Sequence, residues 1–117
     1  MNEPLKDEVR LRHMLDAARK ATEFAKGRER FELDKDEKLM LALVHLLEIL
    51  GEAARGVSLD FRQRYPQVPW KKIAGTRDRL VHGYFDVDLD IVWQIVTTQL
   101  PPLISELERI VRNSTKT

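Results

Sequence analysis

The chemistry in this sequence concentrates in eight positions, where Arg77, His82 and Tyr84 fall close together. An arginine grips a phosphate through two parallel hydrogen bonds and keeps its charge at any physiological pH. Histidine is the side-chain type that gives and takes protons near neutrality. Local charge agrees with an anionic partner. Between Phe61 and Phe85 the positive residues are Arg62, Arg64, Lys71, Lys72, Arg77 and Arg79, and Asp78 is the single negative. Such a patch is the footprint of a phosphate-bearing molecule. A solvated helix face is the plainer reading of the same charges.

A helical wheel at about 100° per residue separates the two arginines of the motif. Trp70, Ile73, Ala74, Leu80 and Val81 form one apolar stripe, with Arg77 in its middle and Arg79 on the opposite side. An inward arginine must meet either a buried carboxylate or an anion held in a cleft, and both remain open. In continuous helix His82 points away from Arg77. Gly83 is expected to end the helix in the left-handed conformation, a turn that brings His82 and Tyr84 back toward the same cleft. A histidine that merely caps the helix is the alternative.

Other candidates are weaker. His45, Glu48 and Glu52 share one side of a helix, but a metal site needs further ligands from elsewhere, so a solvated polar face is the better reading. His13 has no evident partner and is expected at the surface. Phosphate-loop, dinucleotide and nucleophile-elbow patterns are absent. Trp70 and Trp93 lie on apolar stripes and read as core.

The elements that must position these residues are helices. The chain has 117 residues, enough for one domain spanning 1–117 with a modest core. It is 43% hydrophobic and 33% charged, which argues against disorder. Twenty Lys+Arg against nineteen Asp+Glu leave +1, so the local basic patch is hidden in a neutral total. Zero cysteines exclude disulfides and thiolate chemistry. The longest apolar run, Leu39 to Val44, is far short of the about 20 residues of a membrane span. The N-terminus has no apolar core of a secretion signal, and a cytoplasmic protein without membrane attachment is expected.

A first helix is expected from about Leu5 to Lys26, with Leu11, Met14, Ala18, Ala21 and Ala25 on one stripe and Gly27 as its stop. A second begins near Asp34, with Asp34 and Glu37 as a capping box, and Gly51 and Gly56 bracket its end. Leu39, Leu43, Leu46, Leu50 and Ala53 make its inner stripe. Met40, Leu41, Val44 and Leu47 spread apolar surface around most of the rest, which suggests a second buried side at a bundle centre or a subunit interface. Ser58 caps a short helix through Arg64. Pro69 opens a helix from Trp70 to Val81. The last helix starts at Asp86 or Asp88 and keeps its stripe from Leu89 to Val111, with a kink expected near Pro101 and Pro102. No stretch alternates with period two, so no sheet is expected. The predicted fold is an all-α bundle of four long helices plus a short connector helix.

Several runs together resemble the HepT-like branch of the HEPN superfamily. They are Ile49-Leu50-Gly51-Glu52-Ala53-Ala54, Tyr65-Pro66 with Val68-Pro69-Trp70, Ile73-Ala74-Gly75-Thr76-Arg77-Asp78, Leu80-Val81-His82-Gly83-Tyr84-Phe85, and Asp88-Leu89 with Val92-Trp93. The central motif is Arg, four residues, His, one residue, Tyr. The resemblance implies a HEPN-like toxin that works as a homodimer and cleaves RNA as a metal-independent ribonuclease with no cofactor of its own. It implies a partner, a nucleotidyltransferase antitoxin of the MntA type, which uses ATP to transfer AMP to the motif tyrosine. By position, Arg77 and His82 become the catalytic pair and Tyr84 the modified residue. Asp78 fits a position that is usually polar in the superfamily, and Arg79, Lys71 and Lys72 supply supporting charge for phosphate. Two other readings compete: a non-catalytic helical subunit that docks on a nucleotidyltransferase and presents its substrate, and a purely structural bundle in which Arg77 forms a buried ion pair.

Overall fold

A computed structural model of the chain describes residues 6–83 and 86–114. The fold is mostly helical, as expected. Helix α1 (Asp7–Ala25) buries Leu11, Met14, Ala18, Ala21 and Ala25. Gly27 follows it with φ of 74°, a left-handed turn that glycine takes without steric cost. A four-residue helix, α2 (Glu32–Lys35), comes next and was not anticipated.

The second long helix is α3 (Glu37–Arg55), and its cap is Asp36 rather than Asp34. The Asp36 carboxylate accepts the Leu39 N–H at 3.0 Å. Asp34 is taken up in α2 and pairs with Arg30 at 3.1 Å, so the expected Asp34–Glu37 box does not form. Arg28 ties the entry together through Glu32 at 2.9 Å and Asp36 at 2.7 Å. The Arg28 guanidinium, then the Leu39 N–H, hold the Asp36 carboxyl below its usual range.

Helices α1 and α3 form the main packing pair of the domain. The alanines of α1 project no bulk beyond Cβ, so the two backbones can approach closely. Leu43, Leu47 and Leu50 are fully or almost fully buried between their neighbours. Val44 and Leu46 are buried too, and Met40 is half-buried. Most of the apolar girth of α3 is therefore consumed inside one chain. Leu41 is the large hydrophobic of α3 that stays exposed, at 54%.

Ser58 caps α4 (Leu59–Arg64), its hydroxyl accepting the Phe61 N–H at 3.2 Å. Arg62 is not part of a free basic patch. It donates to the carbonyls of Ala54, Arg55 and Val57 at 2.8–3.1 Å, closing the open C-terminal end of α3.

The single helix expected over 70–81 is divided into α5 (Trp70–Ala74) and α6 (Thr76–Leu80) by Gly75. Side chains satisfy the carbonyls at the break. Thr76 Oγ1 donates to Ile73 at 2.6 Å, and Arg55 donates to Ala74 at 3.0 Å. Among the described residues the bundle thus has three long rods, where four were expected. Val81 turns extended at the end of α6 and starts a minimal antiparallel hairpin, β1 (Val81–His82) and β2 (Asp86–Val87), with Val81 opposite Val87 and His82 opposite Asp86. Two-residue strands are too short to show alternation, which is why none was anticipated.

Asp88 caps α7 (Leu89–Gln94), accepting the Ile91 N–H at 3.1 Å. The rod continues through a π-helical turn (Ile95–Gln99) into α8 (Leu100–Ser114). The irregularity falls immediately before Pro101 and Pro102. Prolines have no N–H, so the carbonyls of Thr97 and Thr98 lose their α-helical donors. The wider turn shifts the register, and the Leu100 N–H pairs with the Ile95 carbonyl five residues back. The same shift brings Ile95 into the core beside Val92, Val96 and Leu100. Among the described residues no helix is long and apolar enough to cross a membrane.

Candidate functional site

A glycine sets the position of the motif helix. Gly51 lies buried near the end of α3 and Gly56 caps that helix, so the two glycines bracket its end as expected. A Cβ built on Gly51 would sit 3.0 Å from the Ile73 carbonyl oxygen and 3.6 Å from Thr76 Cβ. The missing side chain is what lets the α5–α6 corner rest directly on α3. Gly51→Val is expected to push that corner away and lower stability by about 1–3 kcal/mol, read as a fall in thermal midpoint.

Helix α6 presents residues on two sides. Arg77 and Asp78 are exposed, Arg79 is half-buried, and Thr76 and Leu80 are buried. This reverses the wheel, which put Arg77 inward and Arg79 outward. The reason is the break at Gly75, which resets the helical phase between Trp70 and Leu80.

On the first side, Arg77 and Asp78 border a groove of about 190 Å³ with Glu48, Gly51, Glu52 and Arg55 of α3. Arg77 Nε lies 3.5 Å from Glu48 Oε2, and the two side chains remain 68% and 37% accessible. No interior carboxylate holds Arg77 among the described residues. An exposed ion pair is worth about 0–1 kcal/mol, so Glu48 holds Arg77 only weakly. Sequence reasoning noted Glu48 and Glu52 as a polar face and missed that the face looks at Arg77. The available signal was Gly51, a helix-interior glycine with those carboxylates beside it.

His82 is exposed on β1, two residues past the end of α6. The helix ends by the turn to extended backbone at Val81, not at Gly83. Gly83 does take a left-handed φ of 79°, as expected, but it does so where the hairpin turns. Its neighbour Tyr84 lies outside the described residues. The Asp88 N–H donates to the Leu80 carbonyl at 2.7 Å, which ties the end of α6 to the start of α7 and closes the hairpin's base.

The second side of α6 faces a larger cavity of about 440 Å³. Arg79 and Thr76 line it together with Lys72 of α5 and residues of the π-helical turn. The supporting cations expected as one group are therefore divided. Lys72 and Arg79 share this cavity, Arg77 and Asp78 share the groove, and Lys71 is exposed and borders neither. His45 and His13 are exposed. Among the described residues no three His, Asp or Glu side chains gather as metal ligands. Trp70 is buried, with its indole N–H donating to the Tyr65 carbonyl at 2.9 Å, and Trp93 packs half-buried against the core.

Comparison with known proteins gives this arrangement a context. The sequence profile of the family described as "Ribonuclease HepT-like" matches residues 14–110. A "Putative RNase" of Methanocaldococcus jannaschii is 43% identical over 70% of this chain and 68% of its own length. A "Putative RNase" of Caldanaerobacter subterraneus subsp. tengcongensis is 37% identical over 87% of this chain and 91% of its own length. A protein of Thermococcus cleftensis named "Probable ribonuclease HepT" is 37% identical over 64% of this chain and 68% of its own length. No solved structure matches at a significant level. The match runs through α3, the α5–α6 corner, the hairpin and most of the last rod, the elements that carry Arg77 and His82, and on it the chain belongs to the HepT-like ribonuclease family.

Proposed function

We propose that this protein is the toxin of a type VII toxin–antitoxin pair, a metal-independent endoribonuclease silenced by AMPylation of Tyr84. The observation that carries the reading is the state of Arg77. The motif guanidinium is open to solvent beside a groove, with one surface carboxylate at 3.5 Å and no interior partner among the described residues. A structural arginine would be locked inside, whereas this one is available to an anion.

The chemistry follows from what RNA brings. Its 2′-hydroxyl attacks the adjacent phosphorus, forming a P–O2′ bond and breaking the P–O5′ bond. One proton leaves the 2′-oxygen and one reaches the departing 5′-oxygen, giving a 2′,3′-cyclic phosphate and a 5′-hydroxyl. His82 takes or gives a proton in this exchange. Arg77 stabilises the charge that grows on the phosphoryl oxygens. One chain supplies one motif histidine. A homodimer pairing across the solvent-side strip of α3 (Leu41, His45, Glu48, Glu52 and Arg55) brings two motifs to one cleft, so that two imidazoles serve as base and acid. Leu41 is the exposed apolar contact on that strip.

Silencing has a direct physical basis. The Tyr84 oxygen attacks the α-phosphorus of ATP on the partner nucleotidyltransferase, and pyrophosphate leaves. The new phosphodiester puts bulk and negative charge near the motif, where it competes with RNA phosphate for Arg77. Two measurements test the whole reading. Expression alone should arrest growth, and co-expression with the neighbouring transferase gene should restore it. Intact mass after incubation with the transferase and ATP should rise by AMP, and Tyr84→Phe should abolish the rise. Growth arrest that persists despite the transferase, or an AMP increment that survives Tyr84→Phe, refutes the silencing mechanism.

A further inference from the structure

We propose that the cavity between α5, α6 and the π-helical turn receives one unpaired nucleotide of the RNA being cleaved. Its base would rest on the apolar floor and its phosphate on Lys72 and Arg79. The inference rests on the ribonuclease reading above and adds a second binding site to it.

The cavity measures about 440 Å³, within the roughly 300–1,000 Å³ of small-molecule sites. Its floor is apolar, made by Leu50, Ile73 and Leu100, which are buried, with Leu103 half-buried beside them. Its rim carries two cations. Neither Lys72 nor Arg79 has a carboxylate partner among the described residues. Glu106, the acidic residue on the rim, is already engaged by Arg109 and by Gln67 Nε2 at 2.6 Å. Arg109, then Gln67, hold its carboxyl below the usual range. The free charge at the mouth is therefore positive. A half-buried arginine without a counter-charge is costly and favours an anion.

These features select a class of ligand. An inorganic anion would leave the apolar floor unused, and a purely apolar ligand would leave Arg79 unpaired. A nucleotide satisfies both. Its base must be unpaired, because a base stacked in a duplex cannot enter a pocket, and proteins read RNA sequence chiefly on single strands. The source is placed by α6 itself. Thr76 and Arg79 line the cavity, while Arg77 and Asp78 border the groove on the other side of the same short helix. A helix with its side chains is about 10–12 Å across. A strand crossing it engages both sites within a few nucleotides, with one phosphate at Arg77 and a nearby base in the cavity. Thr98 and Gln99 of the π-helical turn offer hydroxyl and amide groups to the base edge. The consequence is cleavage confined to loops and single strands, with a base preference set at the cavity.

Fluorescence anisotropy with a short labelled single-stranded RNA, and with its duplex, tests this on the full-length protein. Wild type should prefer the single strand. Thr98→Trp, at an exposed wall position, fills the cavity with an indole and should weaken single-strand binding roughly tenfold while leaving duplex binding unchanged. Lys72→Ala combined with Arg79→Ala should weaken single-strand binding more than duplex binding, a result that does not depend on how the new indole packs. Arg77→Ala should lose cleavage yet keep the single-strand preference, which separates the cavity from the catalytic groove. If wild type cleaves no RNA but still shows Thr98-dependent single-strand binding, the cavity assignment stands and the ribonuclease reading falls. Equal affinity of wild type for both RNA forms overturns the proposal, as does unchanged single-strand affinity in the filled and charge-removed variants. So does AMP binding that Thr98→Trp blocks while RNA binding is untouched, which would make the site one for a free nucleotide. Dissociation of a dimer by Thr98→Trp on gel filtration would show a second copy occupying the cavity, and also overturns it.

Discussion

Replacing His82 by alanine is expected to cut RNA cleavage by about 10²–10⁴-fold, the range typical of a lost general acid or base. The fold should not notice. His82 is exposed on a two-residue strand and takes part in no side-chain hydrogen bond or ion pair among the described residues. The strand pairing of His82 with Asp86 runs through backbone, which alanine keeps. Cleavage of a labelled RNA by purified protein reads the first effect, and thermal unfolding reads the second. Growth arrest should disappear, while docking to the nucleotidyltransferase should persist. This combination separates a ribonuclease from a binding subunit that presents substrate to the transferase. A subunit of that kind would inhibit nothing to begin with, and its His82→Ala form would behave as wild type. Retained cleavage in His82→Ala refutes the assignment of the imidazole.

Burial of the long rods was legible because a helix repeats its pattern over many turns. Leu11, Met14, Ala18, Ala21 and Ala25, or Val92, Val96, Leu100, Leu107 and Ile110, each add independent support for one phase. The motif region offered no such redundancy. From Trp70 to Val81 only five apolar residues set the wheel, and one break at Gly75 was enough to exchange the environments of Arg77 and Arg79. Nothing in Gly75 alone distinguishes a tolerated helix glycine from a terminator. The difference lies in Thr76 and Arg55, which take the carbonyls of Ile73 and Ala74, and Arg55 is distant in sequence. Arg62 carries the same lesson. In a charge count it joins a basic patch, but its three bonds to the end of α3 make it a structural cap. The candidate pair Arg77 and His82 was legible as a spacing. The groove was not, because Glu48 and Glu52 reach it only through the close approach that Gly51 permits.

Arg77→Ala should lower cleavage by about 10²–10³-fold, the loss that follows removal of one preorganised donor to a developing oxyanion. Its effect on stability decides between function and scaffold. If Arg77 were a buried ion-pair partner, truncation would strand Glu48 in the interior and cost about 3–5 kcal/mol, a sharp fall in melting temperature. The observed pair is separated by 3.5 Å and open to water on both sides, so the change should stay within about 1 kcal/mol. Arg77→Lys sharpens the test. Lysine keeps the charge but loses the planar fork, so it should restore affinity for RNA phosphate better than it restores turnover. Combining Arg77→Ala with His82→Ala should cost far less than the product of the single losses, because residues that act on one transition state fail together. Full additivity would mean that the two side chains serve separate steps rather than one transition state. A large loss of stability in Arg77→Ala, with cleavage intact, would return this residue to the scaffold and leave His82 without its partner.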